Sequence, residues 1–141
     1  MWILGGAVTV IVGWAVALVL VDERHHRLPD RYTLPAAGGA LAGALLTEPA
    51  VALGGVAWAA FHLPGRGIGG GDVKLALSLG TLAAAAGGVG AVILAVLTAS
   101  AVTVGRGVVT RAEVVPHGPS MLVGALIAVL SGVMAGVTCH S

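Results

Sequence analysis

Thirteen formally charged residues, seven basic and six acidic, divide the chain of 141 into uncharged runs at 1–21, 32–47, 49–65, 75–105 and 114–141. Runs of that length constrain the fold more than any motif does. A soluble globule needs polar side chains to cover its surface, and a chain 57% hydrophobic and only 9% charged does not have them. The expected class is therefore an all-α integral membrane protein. Its 23 glycines agree, because helices in lipid associate through small residues that let backbones approach closely.

The run lengths set the number of helices. A span needs about 20 residues, so 75–105 is too long for one ordinary crossing, and Gly87-Gly88-Val89-Gly90 supplies a turn at its middle. Thr47-Glu48-Pro49 likewise divides the region between Tyr32 and Gly65. Six transmembrane helices are predicted, near 2–21, 33–47, 50–63, 73–86, 90–105 and 119–138. With six, all seven basic residues (Arg24, Arg27, Arg31, Arg66, Lys74, Arg106 and Arg111) fall on one side. Cytoplasmic loops collect Lys and Arg, so both termini are expected to be extracytoplasmic and the loops 22–32, 64–72 and 106–118 cytoplasmic. The whole of 1–141 reads as a single membrane-embedded domain.

Other features narrow the function. Net charge is +1 with no basic tract, so nucleic acid is not an expected partner. The single cysteine, Cys139, excludes an internal disulfide and a multi-cysteine metal site. Met1 to Val21 lacks a basic start and a small-residue cleavage site, and reads as a retained helix rather than a secretion signal. His25 and His26 are adjacent and have no partner at i+4, and His62 and His140 read as interfacial; no metal is expected. The glycine run lacks the spacing of a nucleotide-binding loop, and Ser78, Ser100 and Ser131 lie inside apolar runs, where they serve helix contacts rather than nucleophilic attack.

The acids remain. Asp72 ends Gly67-Ile68-Gly69-Gly70-Gly71 at the mouth of an apolar run. A helix cap would not need those glycines, so Asp72 reads as functional, presented at the edge of the membrane beside a backbone that an extended substrate could approach. Asp22 stands at the end of the first apolar run; its residues alone leave it evenly balanced between a solvated charge and a functional acid. Asp30, just before the second helix, reads as an N-cap. Two carboxylates brought close in a partly dry site share one proton, which suits peptide hydrolysis without metal or cofactor.

Asp22 and Asp30, eight positions apart, together with Gly69-Gly70-Gly71-Asp72-Val73-Lys74-Leu75, resemble the type IV prepilin peptidases, membrane aspartic proteases with a Gly-x-Gly-Asp motif. Pro116-His117-Gly118-Pro119 is similar to that family's Pro-Phe-Gly-Pro, with His117 in place of the aromatic; Val73 stands where Phe is common. The resemblance implies Asp22 and Asp72 as the catalytic pair, with Asp30, Gly69, Gly71 and Lys74 in support and no cofactor. It implies a substrate that is a type IV prepilin or pseudopilin, with an apolar helix in the lipid bilayer and a basic leader cut at the cytoplasmic face. That places the chain in the inner or plasma membrane of a bacterium or archaeon, serving type IV pili or protein secretion. It implies a short, peptidase-only form without the N-terminal extension associated with methylation. The alternative class is a small membrane transporter or proton or cation relay using Asp22 and Asp72; relay acids usually stand near the bilayer midplane, whereas these stand at helix ends.

Overall fold

The computed structural model describes residues 2–25, 28–63, 69–111 and 115–138. They form α1 (Trp2–His25), α2 (Asp30–Thr47), a short 3-10 turn at Pro49–Val51, α3 (Ala52–His62), α4 (Gly70–Thr110) and α5 (Gly118–Thr138). The architecture is all-α, as the uncharged runs require. Two boundaries differ from expectation. α1 runs through Asp22 to His25, so Asp22 lies on its last turn rather than after it, and α4 starts at Gly70, so Gly70 and Gly71 form a first helical turn rather than a loop.

The break at Thr47-Glu48-Pro49 follows from backbone chemistry. Glu48 is extended, Pro49 cannot donate to the preceding helix, and a 3-10 turn redirects the chain into α3. Pro35 lies within α2, where its ring removes one helical hydrogen bond.

α4 consists of two helical arms that meet at a kink of non-helical conformation, at Gly87 (φ −156°, ψ 23°) and Gly88 (φ 63°, ψ −153°). The second pair of angles is open essentially to glycine alone. A straight helix would hold Asp72 and Thr103 roughly 46 Å apart at 1.5 Å per residue. Instead both ends of α4 meet the same neighbour: Thr103 bonds His117, His117 bonds His62, and His62 is close enough to Asp72 for their charges to interact. The chain therefore turns back at Gly87–Gly88. α5 lies along the second arm, with Gly132 against Ala86 and Gly87 and Gly124 against Ala95 and Ala99.

Small residues set the spacing between these helices. A Cβ on Gly55 would collide with the Leu77 carbonyl and the Thr81 hydroxyl, and one on Gly80 would stand 2.6 Å from the Gly54 carbonyl oxygen, so α3 and the first arm of α4 pack backbone to backbone. Around that contact the core gathers Leu18, Trp58, Leu75, Ala76, Ala83, Ala95, Ala99, Met121 and Ala128. The outside is equally apolar: Val10, Leu20, Leu46, Leu53, Phe61, Leu97, Val109 and Leu130 are all exposed. Exposed apolar side chains on all five helices are what a surface in contact with lipid carries. Among the described residues, α4 and residues 118–135 of α5 are long and apolar enough to cross a membrane; Pro49–His62 is apolar but shorter.

Candidate active site

Five contacts draw the polar ends of the helices together. The end of α1 reaches the start of α5 through Asp22 and the far end of α4 through Glu23, whose Oε1 lies 2.5 Å from Arg106 Nη2. The start of α2 reaches the start of α4 through Asp30 and Lys74, 2.5 Å apart. The end of α3 reaches the segment before α5 through His62 and His117. Thr103 of α4 completes the set by bonding His117.

Asp22 is 4% exposed, on a helix whose other acid, Glu23, faces solvent. Its Oδ2 accepts a hydrogen bond from the Gly118 backbone N–H at 3.0 Å. This is the first turn of α5, where unpaired N–H groups and the helix dipole favour an acid oxygen. Gly118 is required for the approach, since a Cβ there would stand 2.7 Å from Asp22 Oδ2. Neither residue is near the other in sequence.

Asp72 is the third residue of α4, after the N-cap Gly69. Its backbone N–H donates to the Gly69 carbonyl at 3.0 Å, and its carboxylate accepts from the Gly69 N–H, one half of a capping box. Asp22 lies close enough for the two carboxylates to interact electrostatically. Acids fifty positions apart in sequence thus share one site.

The supporting residues divide. Asp30 does not cap α2: Pro29 holds the N-cap position without any side-chain cap bond, and Asp30, 61% exposed, pairs with Lys74 across to α4. The Pro29 N-cap leaves Asp30 inside the first turn, so its carboxylate is spent on the lysine instead. Gly71 does not lie open for a substrate. A Cβ on it would collide with the Leu28 carbonyl and Leu28 Cβ, so this glycine lets Leu28 lie close against α4. Gly69 is exposed, with only ordinary contacts around it, and could be approached from outside. Gly67 lies outside the described residues, as do His26, Cys139 and His140.

Sequence reasoning missed two features. Gly118, quoted only as part of a motif, is the donor to Asp22. His62, read as interfacial, is 5% exposed; its Nδ1 lies 3.0 Å from the Trp58 carbonyl oxygen and its Nε2 lies 3.2 Å from His117 Nε2. Burial pushes the His117 imidazole below the ordinary histidine range, and the neighbouring His62 ring pushes the same way. A polar ring closing an otherwise apolar helix was the available signal for His62. Among the described residues no group of three or more His, Cys, Asp or Glu side chains could hold a metal ion.

No curated protein and no solved structure matches the chain. Residues 9–104 match the type IV leader peptidase family, a stretch that takes in α1 from residue 9 onward with Asp22, the start of α4 with Asp72 and the histidine that ends α3. With more than half its length inside that match, the chain belongs to the type IV leader peptidase family.

Proposed function

We propose that this leader peptidase family protein is an aspartic endopeptidase that cuts the leader from type IV prepilins or pseudopilins at the cytoplasmic face of the membrane. The observation that carries the reading is the convergence of Asp22 and Asp72, each at a helix end and each holding a backbone N–H. Two carboxylates this close and this dry keep one proton between them. The ionised acid takes a proton from a water as its oxygen attacks the scissile carbonyl carbon, and the protonated acid gives its proton to the carbonyl oxygen. When the tetrahedral intermediate collapses, the C–N bond breaks, the amine leaves with the proton the pair took from water, and an intermediate hydroxyl returns its proton to the pair as the carbonyl re-forms. One proton again remains between the two acids.

In this reading the chain crosses the bilayer six times, the two arms of α4 each counting as one crossing, and both termini lie outside the cell. The gathered helix ends then face the cytoplasm, which is the side that collects basic residues. A substrate whose apolar helix lies in lipid and whose basic leader projects into the cytoplasm presents its scissile bond at the depth of both acids. Exposed Gly69 offers the edge along which that extended backbone would lie.

The test is cleavage of a synthetic prepilin by purified protein in detergent, with no ion gradient. Wild type should cut once at the leader junction, and Asp22→Asn and Asp72→Asn should each lose cleavage by at least about 100-fold, since a neutral amide can neither take nor give the proton. Cleavage that survives either substitution overturns the assignment. A wild type that never cuts but moves ions in liposomes in an Asp72-dependent way transfers the acids to the transporter class.

A further inference from the structure

The histidine pair beside Asp72 has no part in the hydrolysis so far described, and its hydrogen bonds leave few choices of protonation. A carbonyl can only accept, so the bond from His62 Nδ1 to the Trp58 oxygen fixes a proton on Nδ1. Between the two Nε2 atoms, 3.2 Å apart, one must then donate. At the other end, Thr103 Oγ1 lies 2.7 Å from His117 Nδ1 and 3.0 Å from the Ala99 carbonyl oxygen, with one hydroxyl hydrogen to serve both.

Two arrangements satisfy this chain. In the first, both rings are neutral: His117 Nε2–H donates to His62 Nε2, and the Thr103 hydroxyl donates to His117 Nδ1. In the second, the pair has taken up one proton: His62 carries hydrogen on both nitrogens and donates to His117 Nε2, His117 Nδ1–H donates to Thr103, and the hydroxyl turns to the Ala99 carbonyl. Every bond is kept. The change costs one hydroxyl rotation and the shift of a proton from one His117 nitrogen to the other, and it places the positive charge on the ring that interacts with Asp72. A second proton on the pair would put two cations 3.2 Å apart, and burial already opposes charge on His117.

We propose that His62 and His117 hold one exchangeable proton beside the acid pair and act as positioning residues whose charge favours the ionised form of Asp72, so that the pair works at lower pH. The inference rests on the reading of Asp22 and Asp72 as the catalytic pair. The titratable groups facing the histidines are Asp72 of α4 and, beyond it, Asp22 of α1; Arg106 is engaged by Glu23 and Lys74 by Asp30. His117 occupies a position where the family pattern carries an aromatic ring, so the proton-holding chain is a property of this sequence.

The experiment follows prepilin cleavage against pH. A cation beside the pair lets it ionise at lower pH, so His62→Gln, which removes that cation, should move the acid limb upward by about one pH unit or more. His117→Gln keeps an acceptor for the His62 Nε2–H and should leave the limb near the wild-type position, whereas His117→Phe, which offers none, should move it part of the way. A merely structural role would lower activity at every pH and leave the limb in place, and that result overturns the proposal while the protease reading stands. A second readout needs no cleavage at all. Nitrogen chemical shifts of the two imidazoles, followed through a titration, should report uptake of a single proton by the pair, with a midpoint that falls in Asp72→Asn, because coupling between two sites is reciprocal. An unchanged midpoint, or two independent titrations, overturns the inference even in a protein that fails to cut any substrate.

Discussion

The two ends of this helical assembly are built from different chemistry. At one end Asp22, His62, Asp72, Thr103 and His117 lie buried or half-buried, and their bonds run between elements that are far apart in sequence. At the other, the turns at Glu48 and at Gly87–Gly88 use the backbone alone, and Thr47 bonds only the carbonyl four residues before it, at 2.8 Å. The second end needs only to reverse the chain. The first must hold charge out of water, and a buried polar group without a partner costs about 1–3 kcal/mol, so its members are tied to one another. The difference marks the first end as the candidate site without reference to any motif.

That contrast is open to test at both ends. The largest effect is expected at Gly118. Gly118→Ala adds one carbon 2.7 Å from Asp22 Oδ2, closer than carbon and oxygen tolerate, and Asp22 must retreat from its N–H donor. Prepilin cleavage should fall about tenfold or more while thermal stability falls by about 1–3 kcal/mol, as for a crowded core position. Full cleavage in this variant would show that the bond between Asp22 and Gly118 does not place the acid.

Gly88→Ala probes the other end. A side chain at φ 63° and ψ −153° is strained whatever space surrounds it, and none of its neighbours lies within 4 Å of the added carbon. The expected loss is about 1–3 kcal/mol of stability in thermal or denaturant unfolding, with the activity of the remaining folded protein unchanged. A catalytic defect at constant fold would mean that the two ends are coupled and would blur the comparison. The smallest effect belongs to Asp30→Asn. Its ion pair with Lys74 is half open to solvent, so stability should change by less than about 1 kcal/mol and cleavage by no more than about threefold. A loss as large as that of Asp72→Asn would move Asp30 into the acid pair.

Much of the architecture is legible along the chain because its causes are local. Uncharged runs too apolar for water give helices, and Glu48-Pro49 and Gly87-Gly88 mark where the helical path must break, since proline lacks a donor and only glycine accepts the angles at position 88. Asp72 at the head of a helix is equally local, because its cap bond closes over three residues. The extent of the first turns was less visible: a Gly-Gly-Asp run reads as loop by propensity, yet Gly71 is helical because only a residue without Cβ lets the backbone of Leu28 lie against it.

What the sequence by itself determined is the class of solvent the protein needs, the places where its path turns and the acids available for chemistry. The tertiary structure alone decided which acids are buried and which stay exposed. Asp22 and Asp30 are alike in type and lie eight positions apart, but one is buried on the N–H of Gly118 and the other is exposed on Lys74. It likewise decided that His62 faces His117 and Asp72 rather than the membrane surface. The reason is physical: desolvation and hydrogen bonding depend on what stands within a few ångströms, and here those neighbours come from helix ends separated by 96, 55 and 44 positions of chain.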